Sequence, residues 1–94
     1  MNITWGTKVR LGERRTAHRV IGERLLNGER AVQLCASADY GDANTRISEN
    51  NRDPLKDLEH GHHDLIARTV PIADLVKDFR GGYWERFQQA ELPL

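Results

Sequence analysis

Thr16-Ala17-His18-Arg19-Val20-Ile21-Gly22-Glu23-Arg24-Leu25-Leu26-Asn27-Gly28-Glu29-Arg30-Ala31-Val32-Gln33-Leu34-Cys35 decides the fold class. Two runs rich in apolar and β-branched residues flank Asn27-Gly28. Asn-Gly accepts the positive φ values of a two-residue type I′ turn, whose twist matches the strands it joins. The stretch therefore predicts a hairpin with Leu26 opposite Glu29 and Ile21 opposite Leu34. In that register Ile21, Leu25, Val32 and Leu34 share the core face, Val20, Leu26, Ala31 and Cys35 share the other, and Gly22 marks a bulge or bend. Apolar residues on both faces predict a sheet covered on one side and curled or partner-covered on the other.

Working outward, Ile3-Thr4-Trp5-Gly6-Thr7-Lys8-Val9-Arg10-Leu11 alternates from Lys8 onward and predicts a first strand, with Val9 and Leu11 on one side and Lys8 and Arg10 on the other, joined to the hairpin through Gly12-Glu13-Arg14-Arg15. Residues 36–64 are polar and predict a long insertion. Within it Asp53-Pro54-Leu55-Lys56-Asp57-Leu58-Glu59-His60-Gly61 carries an N-cap Asp, a Pro at the first helical position and a terminal Gly, so a short helix is expected near 54–60. Leu65-Ile66-Ala67-Arg68-Thr69-Val70 predicts a last strand ending at Pro71. Ile72, Leu75, Val76 and Phe79 then recur at helical spacing before Gly81-Gly82, which predicts a C-terminal helix. Residues 83–94 form an aromatic tail.

The chain has 94 residues, 38% of them hydrophobic, and reads as a single domain spanning 1–94. A domain of this size buries only about two thirds of its unfolded surface, which leaves room for a dimer interface to contribute to stability. A lone Cys35 rules out an intrachain disulfide framework. The N-terminus shows no signal-peptide pattern and no apolar run is long enough to span a bilayer, so a cytoplasmic protein without membrane contact is expected. Net charge is zero, but it is split. Seven cations through Cys35, namely Lys8, Arg10, Arg14, Arg15, Arg19, Arg24 and Arg30, stand against three carboxylates, leaving +4 on that part and −4 on the remainder.

Trp5-Gly6-Thr7-Lys8-Val9-Arg10-Leu11, the bent hairpin and Thr69-Val70-Pro71-Ile72-Ala73-Asp74-Leu75 together resemble the SH3-like small β-barrels, in which a strand running into a short helical turn is common. The order is also similar to that of the plasmid-type (type II) dihydrofolate reductases. Their closing strand reads Val-Gln-Ile-Tyr-Pro-Val, whereas Ala67, Arg68, Thr69, Val70, Pro71 and Ile72 stand at the matching positions here. The Gln-Ile-Tyr that contacts cofactor and substrate is absent, and no reductase site carries over. The expected fold is α+β: a small curled antiparallel sheet or SH3-like barrel, with a C-terminal helix and a long polar insertion.

Candidate sites follow from residue chemistry. Tyr83, Trp84 and Phe87 hold half of the aromatic residues within a few positions, and such side chains anchor protein interfaces. They are the expected partner-binding residues of a non-enzymatic module that acts through protein contacts, self-association included. The alternative is a nucleic-acid-associated regulatory protein that uses the seven N-terminal cations as a basic sheet face. His60, His62 and His63, with Asp57, Glu59 and Asp64 nearby, offer metal-ligand chemistry, but their spacing matches no structural zinc pattern and no Cys pair accompanies them, so neither a metal nor a cofactor is expected. Cys35 opposite Val20 would have His18 as a diagonal neighbour on the same face, the geometry of an activated thiol. A lone Cys on an apolar strand is more often a small buried hydrophobe, and no catalytic residue is expected.

Overall fold

The computed structural model describes residues 3–50 and 63–86. Six strands form one sheet: β1 (Lys8–Leu11), β2 (Thr16–Leu26), β3 (Glu29–Ala36), β4 (Ile66–Pro71), β5 (Leu75–Lys77) and β6 (Tyr83–Glu85), in the order β4-β3-β2-β1-β6-β5. All pairs are antiparallel except β1 with β6, which is parallel. The sheet is thus mixed rather than purely antiparallel, and with β4 and β5 at its two ends it is not closed into a barrel. Among the described residues one α-helix, α1 (Tyr40–Asn50), completes a mixed α+β architecture.

The hairpin forms as its turn residues dictate. Asn27 and Gly28 take φ of 52° and 80°, and Leu26 lies opposite Glu29. The predicted register fails farther down. A bulge between Val20 and Gly22 places Val20 opposite Leu34 and Gly22 opposite Gln33, so Ile21 is the extra residue. One inserted residue flips every later side chain to the other face. Val20 consequently joins Val32 and Leu34, while Ile21 joins Cys35.

Two cores result. The larger takes Val9 and Leu11 from β1, Val20 from β2, Val32 and Leu34 from β3, Val70 from β4, Leu75 from β5 and Tyr83 from β6, with Ile3 added and Ile72 packed against it. A flat sheet would hold β4 and β6, four positions apart in the order, about 19 Å from one another at ~4.8 Å per step. Arg68 on β4 nonetheless grips Glu85 on β6, so the sheet curls. The smaller core lies on the opposite face, where Ile21, Cys35 and Ala43 are buried with Trp5, Tyr40, Leu65 and Ile66 around them.

Three sequence expectations are corrected. Residues 36–64 are not one irregular insertion, because α1 occupies Tyr40–Asn50. Little apolar periodicity announces this helix; Ala43 is its buried anchor, and Trp5 Nε1 donates to Asn44 Oδ1 at 3.1 Å. The helix expected over Ile72–Phe79 does not form. Ile72–Asp74 is a 3-10 turn and Leu75–Lys77 a strand, since pairing Leu75 with Glu85 and Lys77 with Tyr83 satisfies backbone groups that a two-turn helix would leave to β6 unpaired. The start of the aromatic tail is likewise a strand, β6. The short helix expected near 54–60 lies outside the described residues.

Candidate partner-binding surface

The β5–β6 turn, Asp78-Phe79-Arg80-Gly81-Gly82, is held by hydrogen bonds within itself and to β1. Asp78 N–H donates to the Gly82 carbonyl and Gly81 N–H to the Asp78 carbonyl, both at 3.0 Å. Asp78 Oδ1 accepts from the Arg80 amide at 3.0 Å, and its Oδ2 accepts from Arg10 Nη1 at 2.7 Å. Arg10 also donates to the Gly81 carbonyl. The Asp78 side chain is only 1% exposed, and the Arg80 amide and the arginines around it hold its carboxyl below the usual carboxylate range. Gly82 lies so close to β1 that a Cβ there would collide with the Lys8 carbonyl oxygen.

This clamp presents Phe79 at 93% exposure, with the Arg80 guanidinium 5.7 Å from its ring centroid. The spacing of Phe79 from Ile72, Leu75 and Val76 predicts the buried side of a helix instead. The signal that finds it is local: Asp followed within three residues by Gly-Gly is turn chemistry, and it outweighs four apolar residues at helical spacing. Leu25, beside the hairpin tip, is the other exposed large hydrophobic residue among those described, at 66%. Its neighbourhood is fixed by Arg30, which grips Glu23 through two hydrogen bonds of 2.7 and 3.0 Å.

The aromatic residues named from sequence part company. Tyr83 is buried in the larger core. Trp84 is half-buried on the opposite face, with the Arg15 guanidinium 4.0 Å above its ring while Arg15 Nη1 donates to the Glu85 carbonyl at 2.8 Å. Phe87 lies outside the described residues. Glu85 points toward the larger core's side, where Arg68 grips it bidentately and the Gly12 amide donates to it at 3.2 Å; the Arg68 contact, first among these, holds its carboxyl below the usual range.

The seven cations do not line one face. Lys8, Arg10 and Arg19 share the face of Trp84 through the pairings Lys8 with Arg19 and Arg10 with Trp84. Arg24 and Arg30 project to opposite sides of the hairpin, opposite Ala31 and Leu25 respectively. Arg10, Arg15, Arg19 and Arg30 are engaged in internal contacts, Arg19 donating to the Gly6 carbonyl at 3.0 Å. Among the described residues Lys8 and Arg14 enter no ion pair.

Cys35 and His18 are separated by the sheet itself. Cys35 pairs with Arg19 rather than Val20, and His18 lies opposite Val9, so the two side chains occupy opposite faces. His18 Nδ1 meets the Thr16 carbonyl at 2.8 Å. Burial first, and Asp39 next, push the Cys35 thiol up to about 11. His60 and His62 lie outside the described residues, and His63 opens a 3-10 turn ahead of β4. Among the described residues no three His, Cys, Asp or Glu side chains gather as metal ligands, and no helix is long and apolar enough to cross a membrane. Compared with family models, curated proteins and solved structures, the chain returns no match.

Proposed function

We propose that this chain is a non-enzymatic binding module of SH3-like kind, acting through protein contacts that include self-association. The observation that carries the reading is Phe79, almost wholly exposed at the tip of a turn that Asp78 and Arg10 clamp in place. A turn whose backbone is already clamped loses little further backbone entropy when a partner covers Phe79, and burying a Phe contributes on the order of 2 kcal/mol. Phe79 beside Arg80 combines an aromatic side chain with Arg, a type enriched at interface hot spots. The SH3-like part rests on the meander β2-β3-β4 running directly into a 3-10 turn and a further strand.

Light scattering after size exclusion, across a hundredfold range of concentration, tests the self-association. The expected result is an apparent mass that rises with concentration for the wild type and falls back for Phe79→Ser. A monomer throughout, unchanged by the substitution, would remove it. Substitution is the clean probe because truncation at Gly82 would delete β6 and with it Tyr83 of the core.

A second reading, association with nucleic acid, is favoured by the common face of Lys8, Arg10, Arg19 and Trp84. Counterion release would make such binding fall steeply with salt. Titrating a labelled single-stranded oligonucleotide at low salt decides it, because no binding there would remove this reading.

A further inference from the structure

We infer that self-association, if the reading above holds, joins Phe79 of one copy to Leu25 of another in a reciprocal two-fold pair. Three observations converge. Among the described residues these two are the large apolar side chains left exposed, at 93% and 66%. Both sit beside hydrogen-bonded turns, Phe79 in the turn that Asp78 clamps and Leu25 next to the Asn27-Gly28 turn with the Glu23–Arg30 ion pair beside it.

Both also lie toward the same end of the sheet. β6 runs parallel to β1, so the turn before Tyr83 lies at the Lys8 end of β1, where Gly82 abuts the Lys8 carbonyl. Lys8 pairs with Arg19, and β2 continues from Arg19 past that level to Leu25, six residues or about 20 Å farther along. Two sites at one end of a chain can be satisfied together by a single two-fold axis, each Phe79 meeting the other copy's Leu25.

Charge selects this pairing over the alternative of Phe79 on Phe79. The Phe79 turn carries exposed Lys77 and Arg80, with Asp78 already shared between Arg10 and Arg80. Stacking it on itself would bring like charges together. The Leu25 face is electrically neutral, since Glu23 and Arg30 compensate one another.

A charge-swapped pair of full-length variants, Phe79→Asp and Leu25→Lys, tests the arrangement, with unchanged circular dichroism confirming that each folds. Alone, each homodimer would put a charge against an apolar side chain twice over, so each should run as a monomer at concentrations where the wild type has twice the monomer mass. Mixed in equal amounts they should recover the twofold mass, because the mixed pair keeps one Phe79–Leu25 contact and gains an Asp–Lys ion pair. A wild type that self-associates while the mixture stays monomeric, or while either variant alone keeps the higher mass, would overturn the pairing and leave self-association standing. A wild type that is monomeric throughout would overturn both. Serine at each position provides a second pair without new charge, for which each single variant should weaken association and the mixture should weaken it by no more than either.

Discussion

Single residues in this protein have their chemistry set by which face of the sheet they reach. Cys35 shows this most directly. It lies in the smaller core with Ala43 of α1, fully buried, and the bulge at Ile21 turns His18 to the other face. With its thiol pushed up to about 11 by burial, the thiolate that reacts with electrophiles is scarce near neutrality. Folded protein at pH 7.5 should therefore react with a thiol-specific chromogenic reagent far more slowly than protein in 6 M urea. Equal rates would mean that the Cys35 pocket opens readily. Asp78 makes the complementary case, since its carboxylate is buried but receives two arginines and a backbone amide. Asp78→Asn keeps the shape and removes the charge, and should lower the melting temperature while accelerating amide exchange at Gly81, whose N–H donates to the Asp78 carbonyl. Lost melting temperature without faster exchange at Gly81 would place the damage elsewhere than the turn.

At the scale of elements, the hairpin, β1 and β4 were legible because period-two patterning and Asn27-Gly28 are local signals. What the sequence did not reveal depended on distant partners. α1 is mostly polar and is anchored through Ala43 against strand residues far along the chain, and Ile72–Phe79 has a helical spacing that pairing with β6 overrides. The same limit explains the site: Tyr83 and Trp84 alternate across a strand, so one enters the core and the other the surface, whereas a tail would have left both free. Two glycines measure how strictly the turns are built. Gly28 and Gly82 both take positive φ, at 80° and 74°, but nothing lies near a Cβ built on Gly28, whereas one on Gly82 meets the Lys8 backbone. Gly28→Ala should cost about 1 kcal/mol, the strain of a left-handed L-residue alone. Gly82→Ala should cost clearly more, because β1 must also shift. Urea denaturation of both variants reads the difference, and equal losses would contradict the close approach of the turn to β1.

For the whole molecule, ion pairs cross between distant parts of the curled sheet. Arg68 of β4 holds Glu85 of β6, joining strands four positions apart in the sheet order, and Arg10 of β1 holds Asp78 beyond β5. Both carboxyls are held below their usual range, Glu85 by Arg68 chiefly and Asp78 by the Arg80 amide chiefly. A carboxyl depressed on folding contributes stability that is fully present above its unfolded value, near 4, and is lost as pH falls through its folded value. Stability should consequently be level from pH 7 to about 5 and decline below about 4. Arg68→Met keeps the aliphatic stem and removes the charge. The Arg68 side chain is about half exposed, so solvent screening limits the expected loss at pH 7 to about 1 kcal/mol. Because that loss reflects an ionised Glu85, it should shrink as acid protonates the carboxylate, and the urea midpoints of wild type and variant should converge by about pH 3. A gap that stays constant from pH 7 to 3 would show that Arg68 stabilises the curled sheet by packing its stem rather than by holding the charge of β6.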